Sequence, residues 1–85
     1  MSEELEIFKK KLLYRASYRG SKEMDILLST FVKKHIHDFS YDQLKDLENF
    51  LKLEDETILE YYNIKKSNKS IDNNSISKIF RDFKM

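Results

Sequence analysis

The chain has 85 residues, 40% of them hydrophobic and 13% aromatic, with a formal net charge of +1. That length makes one domain with a small core, and the apolar content argues against wholesale disorder. There is no cysteine, which excludes disulfides and thiolate zinc sites, and no apolar run approaches the roughly 18 residues a membrane-spanning helix needs. The near-neutral total hides three blocks. Residues 1–37 carry eight basic against five acidic side chains, residues 38–60 two against eight, and residues 61–85 six against two. A nucleic-acid binder presents a dominant basic face; the densest charge block here is acidic, so no nucleic-acid partner is expected. The opening MSEELEIFKK is acidic at once and lacks an apolar core, unlike a secretory signal. Absence of cysteine suits a reducing compartment, and a cytoplasmic location without membrane insertion is expected.

The hydrophobic periodicity is helical throughout. In the first segment Leu5, Phe8 and Leu12 recur at i, i+3 and i+7, with Ile7 and Tyr14 widening the stripe and lysines 9–11 opposite. This helix should end near Tyr18, because Gly20, the only glycine, is the kind of residue found just past a helix end. A second helix is predicted from about Ser21 to about His37, with Met24, Leu27, Leu28, Phe31 and Val32 on one buried stripe. Glu23 and Asp25 fall in its first turn, where the helix dipole favours acids. Glu23 would complete a capping box if Gly20 were the N-cap.

The third start is the best marked. In FSYDQL, Ser40 reads as N-cap and Gln43 as the third helical residue of a capping box, with Phe39 and Leu44 placed as a hydrophobic staple. Leu44, Leu47, Phe50 and Leu51 then share a face. LEDET breaks that pattern, and Asp55 is placed to cap a short fourth helix bearing Ile58, Leu59, Tyr61 and Tyr62. KKSNKSIDNN, residues 65–74, reads as a polar linker. A last helix follows with Ile76, Ile79, Phe80 and Phe83 at helical spacing, capped by Asn74 or Ser75, and either packed on the bundle or projecting from it. The expected fold is all-α, a small bundle of four to five helices. Its domains are a bundle over 1–64, the linker over 65–74 and a C-terminal helix over 75–85.

Few patterns carry chemistry. His35 and His37 are two apart, so on a helix their side chains diverge by about 200°, whereas metal pairs on one face need i, i+3 or i+4. They read as ordinary helix-end histidines, and no metal site is assigned. Glu23 and Asp25 diverge in the same way and form no acid–base pair from one helix. An anion site at the Gly20 turn would meet those acids at once. With no cysteine and no serine–histidine context, an enzyme acting alone is not expected. A helical binding surface remains, with Tyr14, Tyr18 and Arg19 at the end of the first helix; arginine suits bidentate carboxylate contacts and tyrosine gives rigid contact area.

Two stretches carry a resemblance. RASYRGSKEMDILLSTFVKKHI resembles the motif segment of the succinate dehydrogenase assembly factor family, of the SdhE type. That motif is Arg-Gly-x-x-Glu followed by x-Asp and a Leu-Leu-x-x-Phe run: here Arg19, Gly20, Glu23, Asp25, Leu27, Leu28 and Phe31. FSYDQLKDLENFLKLEDETILEYY is similar to the second half of the same family, and the resemblance spans about residues 8–62. It departs at Tyr18, where many members carry a basic residue, at Thr57, where an acid is common, and at Tyr61, where a tryptophan is frequent. The resemblance implies a five-helix bundle that is not an enzyme. It would be a monomeric assembly chaperone that binds the flavoprotein subunit of succinate dehydrogenase, or of fumarate reductase, and promotes covalent FAD attachment there. It would hold no cofactor stably itself. Carried over, the partner-binding residues would be Arg19 and Glu23 as polar contacts, Gly20 for a tight turn and close backbone approach, Asp25 at the helix start, and Tyr18 at the edge. An antitoxin-like or other helical interaction module is the alternative reading.

Overall fold

The computed structural model describes residues 2–64 and 74–84. Among them are five helices and no strand: α1 Ser2–Ser17, α2 Lys22–His35, α3 Tyr41–Leu51, α4 Asp55–Ile64 and α5 Ser75–Asp82. The expected all-α bundle is what forms. Most of the predicted polar linker, residues 65–73, lies outside the described residues.

Helix ends follow local chemistry. Ser40 accepts from the Gln43 backbone N–H while the Gln43 side chain accepts from the Ser40 N–H, the full capping box expected of FSYDQL. Both staple positions, Phe39 and Leu44, are buried in the core. Two sequence expectations are corrected. The N-cap of α2 is Ser21, whose hydroxyl accepts from the Met24 N–H; the extended backbone at Ser21 leaves Gly20 outside the cap. Asp55 is the first helical residue of α4 rather than its cap, and the Glu54 carbonyl accepts the Ile58 N–H at that end. The Asp55 carboxylate is used elsewhere, as described below.

The core joins Leu12 and Ala16 of α1 with the Met24, Leu27, Leu28, Phe31 and Val32 stripe of α2. Leu44, Leu47, Phe50 and Leu51 of α3 and Ile58 and Tyr61 of α4 complete it from the other side. Helix α1 packs on α2 and α3, and α5 packs on α3 and α4. Ile76, Phe80 and Phe83 from α5 and the residue after it are buried in the same core. Phe80 is fully buried, its ring centroid 5.1 Å from Phe31, 5.2 Å from Phe50 and 4.9 Å from Tyr62, distances at which aromatic pairs add to simple burial.

Polar contacts fix both ends of α5. Asn74 caps it through the Ile76 N–H and donates from its amide to the Asp46 carbonyl of α3, while the Ser75 hydroxyl meets the Asp46 carboxylate at 2.6 Å. At the other end the Tyr62 hydroxyl donates to the Phe83 carbonyl. Eight residues are too short to hold as an isolated helix; α5 persists because its apolar face is buried and its ends are tied. The histidines part company. His35 stacks on Phe39 with rings 10° from parallel, between Phe31 and Phe83, while His37 Nδ1 meets Lys9 Nζ of α1 at 3.3 Å.

Candidate functional site

The turn between α1 and α2 collects the residues singled out in the sequence. Helix α1 stops at Ser17, whose hydroxyl bonds back to the Leu13 carbonyl, and residues 18–20 cross to α2. The structure corrects the expectation that Arg19 presents its side chain outward. That side chain is only 10% exposed, and every group of the guanidinium has an internal acceptor. Nε donates to Asp55 Oδ1 at 2.7 Å, Nη1 to the Leu51 carbonyl and Nη2 to the Leu53 carbonyl at 2.7 Å. Leu51 ends α3, so the guanidinium supplies donors to carbonyls that a helix C-terminus leaves without intrahelical partners. Arginine suits this place because its planar fork reaches three acceptors at once.

Two carboxylates hold the backbone of the same turn. Asp25 Oδ1 accepts the Arg19 N–H, and Asp55 Oδ2 accepts the Gly20 N–H at 3.2 Å. Asp55 therefore bridges side chain and backbone of consecutive residues with its two oxygens. This explains the lone glycine differently from the sequence reading. The Gly20 φ is not in the left-handed region, so it is not a helix-terminating residue of that kind; a Cβ there would lie 3.3 Å from Asp55 Oδ2. Glycine fits because the carboxylate approaches the backbone closely.

Glu23 and the two tyrosines face water. Glu23 is exposed, in the first turn of α2, and lines an apolar groove of about 370 Å³ with Met24, Ile26 and Leu27 of α2 and Leu59, Tyr62 and Asn63 of α4. Asp25, half-buried, turns back to Arg19, so the two acids separate as expected of residues two apart on a helix. Tyr18 and Tyr14 are 69% and 66% exposed and pack on each other with centroids 4.7 Å apart. Ile7 is also exposed, at i−7 from Tyr14 on α1. The structure thus divides the motif. Arg19 and Asp25 build the turn from inside, Gly20 gives its exposed N–H to Asp55, and Glu23 and Tyr18 are left at the surface. Asp55 and the α4 wall of the groove were not among the residues chosen from sequence; Asp55 lies 36 positions from Arg19, beyond any local spacing rule.

The family described as Sdh5, flavinator of succinate dehydrogenase, matches residues 10–84, a span that includes the turn, the groove and α5. The chain belongs to this family. Among individual proteins, 49 residues are 47% identical to succinate dehydrogenase assembly factor 2-B, mitochondrial, of Drosophila simulans, covering 58% of this chain and 31% of the relative. The corresponding Drosophila melanogaster protein is 45% identical over the same shares. The Drosophila yakuba factor 2-A is 42% identical over 50 residues, 59% of this chain and 31% of its own. The matches thus take in less than a third of the length of these relatives. No solved structure matches this chain at the same significance. Among the described residues no helix is long and apolar enough to cross a membrane, and no cluster of three His, Asp or Glu side chains could hold a metal ion.

Proposed function

We propose that this chain is an assembly chaperone for the flavoprotein subunit of succinate dehydrogenase, or of a fumarate reductase, and that it promotes covalent attachment of FAD to that subunit. It acts by binding rather than by catalysis, holds no cofactor of its own, and works as a monomer in the cytoplasm. The observation that carries the reading is the family match over residues 10–84 combined with a motif turn fixed from inside and exposed at Glu23. A surface held in one conformation before binding loses little freedom on docking, which favours affinity. A factor that grips the immature subunit can bring its flavin and the accepting histidine into register, and positioning of that kind alone accelerates a bond-forming step by large factors.

The surface has the right character. Glu23 offers a carboxylate to a cationic side chain, Tyr14 and Tyr18 supply exposed aromatic area, and the groove between α2 and α4 is mainly apolar. An exposed carboxylate beside an apolar slot is the composition expected of a protein-binding patch.

The test is co-expression of the flavoprotein subunit with and without the chain, followed by in-gel flavin fluorescence after denaturation. The expected result is a several-fold rise in covalent flavin with the chain present, and a loss of that rise for Glu23→Ala with unchanged helical circular dichroism. Equal flavin with and without the chain would remove the proposal. A rise that survives Glu23→Ala would move the interface away from the motif, toward a general helical interaction module.

A further inference from the structure

Resting on that reading, we propose that Asp55 is a positioning residue of the partner-binding surface, acting on Glu23 through the clasp it forms with the α1–α2 turn. Asp55 is the first residue of α4, and its two oxygens accept from Arg19 Nε and the Gly20 N–H. Glu23 follows three residues after Gly20, in the first turn of α2. The groove has one wall on α2, with Glu23, Ile26 and Leu27, and one wall on α4, with Leu59, Tyr62 and Asn63. The Asp55 carboxylate thus joins the leading end of one wall to the turn that leads into the other. The same guanidinium also grips the Leu51 and Leu53 carbonyls, so the α3–α4 corner and the α1–α2 turn are fixed as one piece.

The apolar contacts of the shared core are less directional than this clasp. The core contacts of Met24, Leu27 and Ile58 resist separation of the walls but resist sliding poorly, because apolar contacts carry no orientation. The clasp supplies that orientation through charge-assisted bonds at both oxygens. A recognition group displaced by about 1 Å loses much of its effect. Releasing the turn should therefore blunt what Glu23 contributes, although Asp55 need not touch the partner.

The experiment is a double-mutant cycle read as affinity. The 85-residue chain and its Asp55→Asn, Glu23→Ala and double variants are titrated into purified flavoprotein subunit of succinate dehydrogenase by calorimetry. The temperature is one at which circular dichroism shows all four folded. Asp55→Asn keeps the shape of the side chain and one acceptor oxygen, so the fold has the best chance of surviving; Asp55→Glu, which keeps the charge, is the second variant and should recover part of the affinity. The expected result is that each single substitution weakens binding about tenfold, and that the double variant falls well short of the roughly hundredfold product, as coupled residues do. A weakening that multiplies fully would overturn the proposal, since Asp55 would then act independently of Glu23. So would Asp55→Asn binding within about twofold of wild type. If the wild-type chain itself does not bind the subunit, the functional reading falls and the positioning role with it; if the wild type binds and the cycle shows no coupling, only the positioning role falls.

Discussion

Replacing Arg19 by alanine separates the structural part of the motif from its exposed part. The substitution removes an ion pair with Asp55 at 2.7 Å and two donors to the Leu51 and Leu53 carbonyls, all made by a side chain that is 10% exposed. One hydrogen bond involving charged groups is worth about 1.5–3 kcal/mol, and breaking a buried pair by deleting one member costs about 3–5 kcal/mol. Asp55 is 30% exposed and keeps the Gly20 N–H, so water and that donor offset part of the loss. The lower end, about 3 kcal/mol, is the expected destabilisation. In a domain of this size each kcal/mol moves the melting temperature by about 4–8 °C, giving a fall of roughly 12–24 °C. Glu23→Ala, at an exposed first-turn position, should cost no more than about 1 kcal/mol, the contribution of an acid to the helix dipole. Thermal melts followed at 222 nm, with urea titrations to confirm that the slope is unchanged, decide the matter. An Arg19→Ala variant that melts within about 3 °C of wild type would refute the reasoning. It would mean that the guanidinium is not held internally and that Arg19 is available to a partner after all.

Three further outcomes follow from the fold. Phe80→Ala deletes a fully buried ring that meets Phe31, Phe50 and Tyr62, and should cost about 3–5 kcal/mol in urea unfolding; a cost under about 1 kcal/mol would show that α5 is not part of the core. Ser77 is fully buried and its hydroxyl has no hydrogen-bond partner among the described residues, so Ser77→Ala should raise stability by about 1 kcal/mol, seen as a higher melting temperature. Ser40→Ala removes the acceptor of the Gln43 N–H and should lower stability by about 1 kcal/mol, with amide exchange quickening first in the opening turn of α3.

Helix boundaries and faces were legible wherever the determining interactions lie within a few residues. The capping box of Ser40 and Gln43 involves neighbours three apart, and the stripe from Met24 to Val32 repeats with the helical period. Sequence placed both within a residue or two. The division of roles inside the motif was not legible. Arg19 next to a lone glycine suggested an outward contact, because arginine and tyrosine are common in binding surfaces; that composition says nothing of what acceptor lies on the far side of the fold. Asp55 stands before a helical run, where a local rule makes it a cap, yet its carboxylate is committed to residues 35 and 36 positions away.

The helical class, the apolar faces, the start of α3 and the Arg-Gly-x-x-Glu pattern were all readable along the chain, since period, capping chemistry and residue order are local properties. Packing alone turns the Arg19 side chain inward and Asp25 back onto the Arg19 N–H, while Glu23 stays exposed. Packing also decided that α5 closes the core and that α4 supplies the second wall of the groove. The physical reason is range. A carboxylate that satisfies a buried guanidinium, or an aromatic ring that fills a space between three others, becomes a neighbour only after packing. No spacing along the chain records which distant group will meet it.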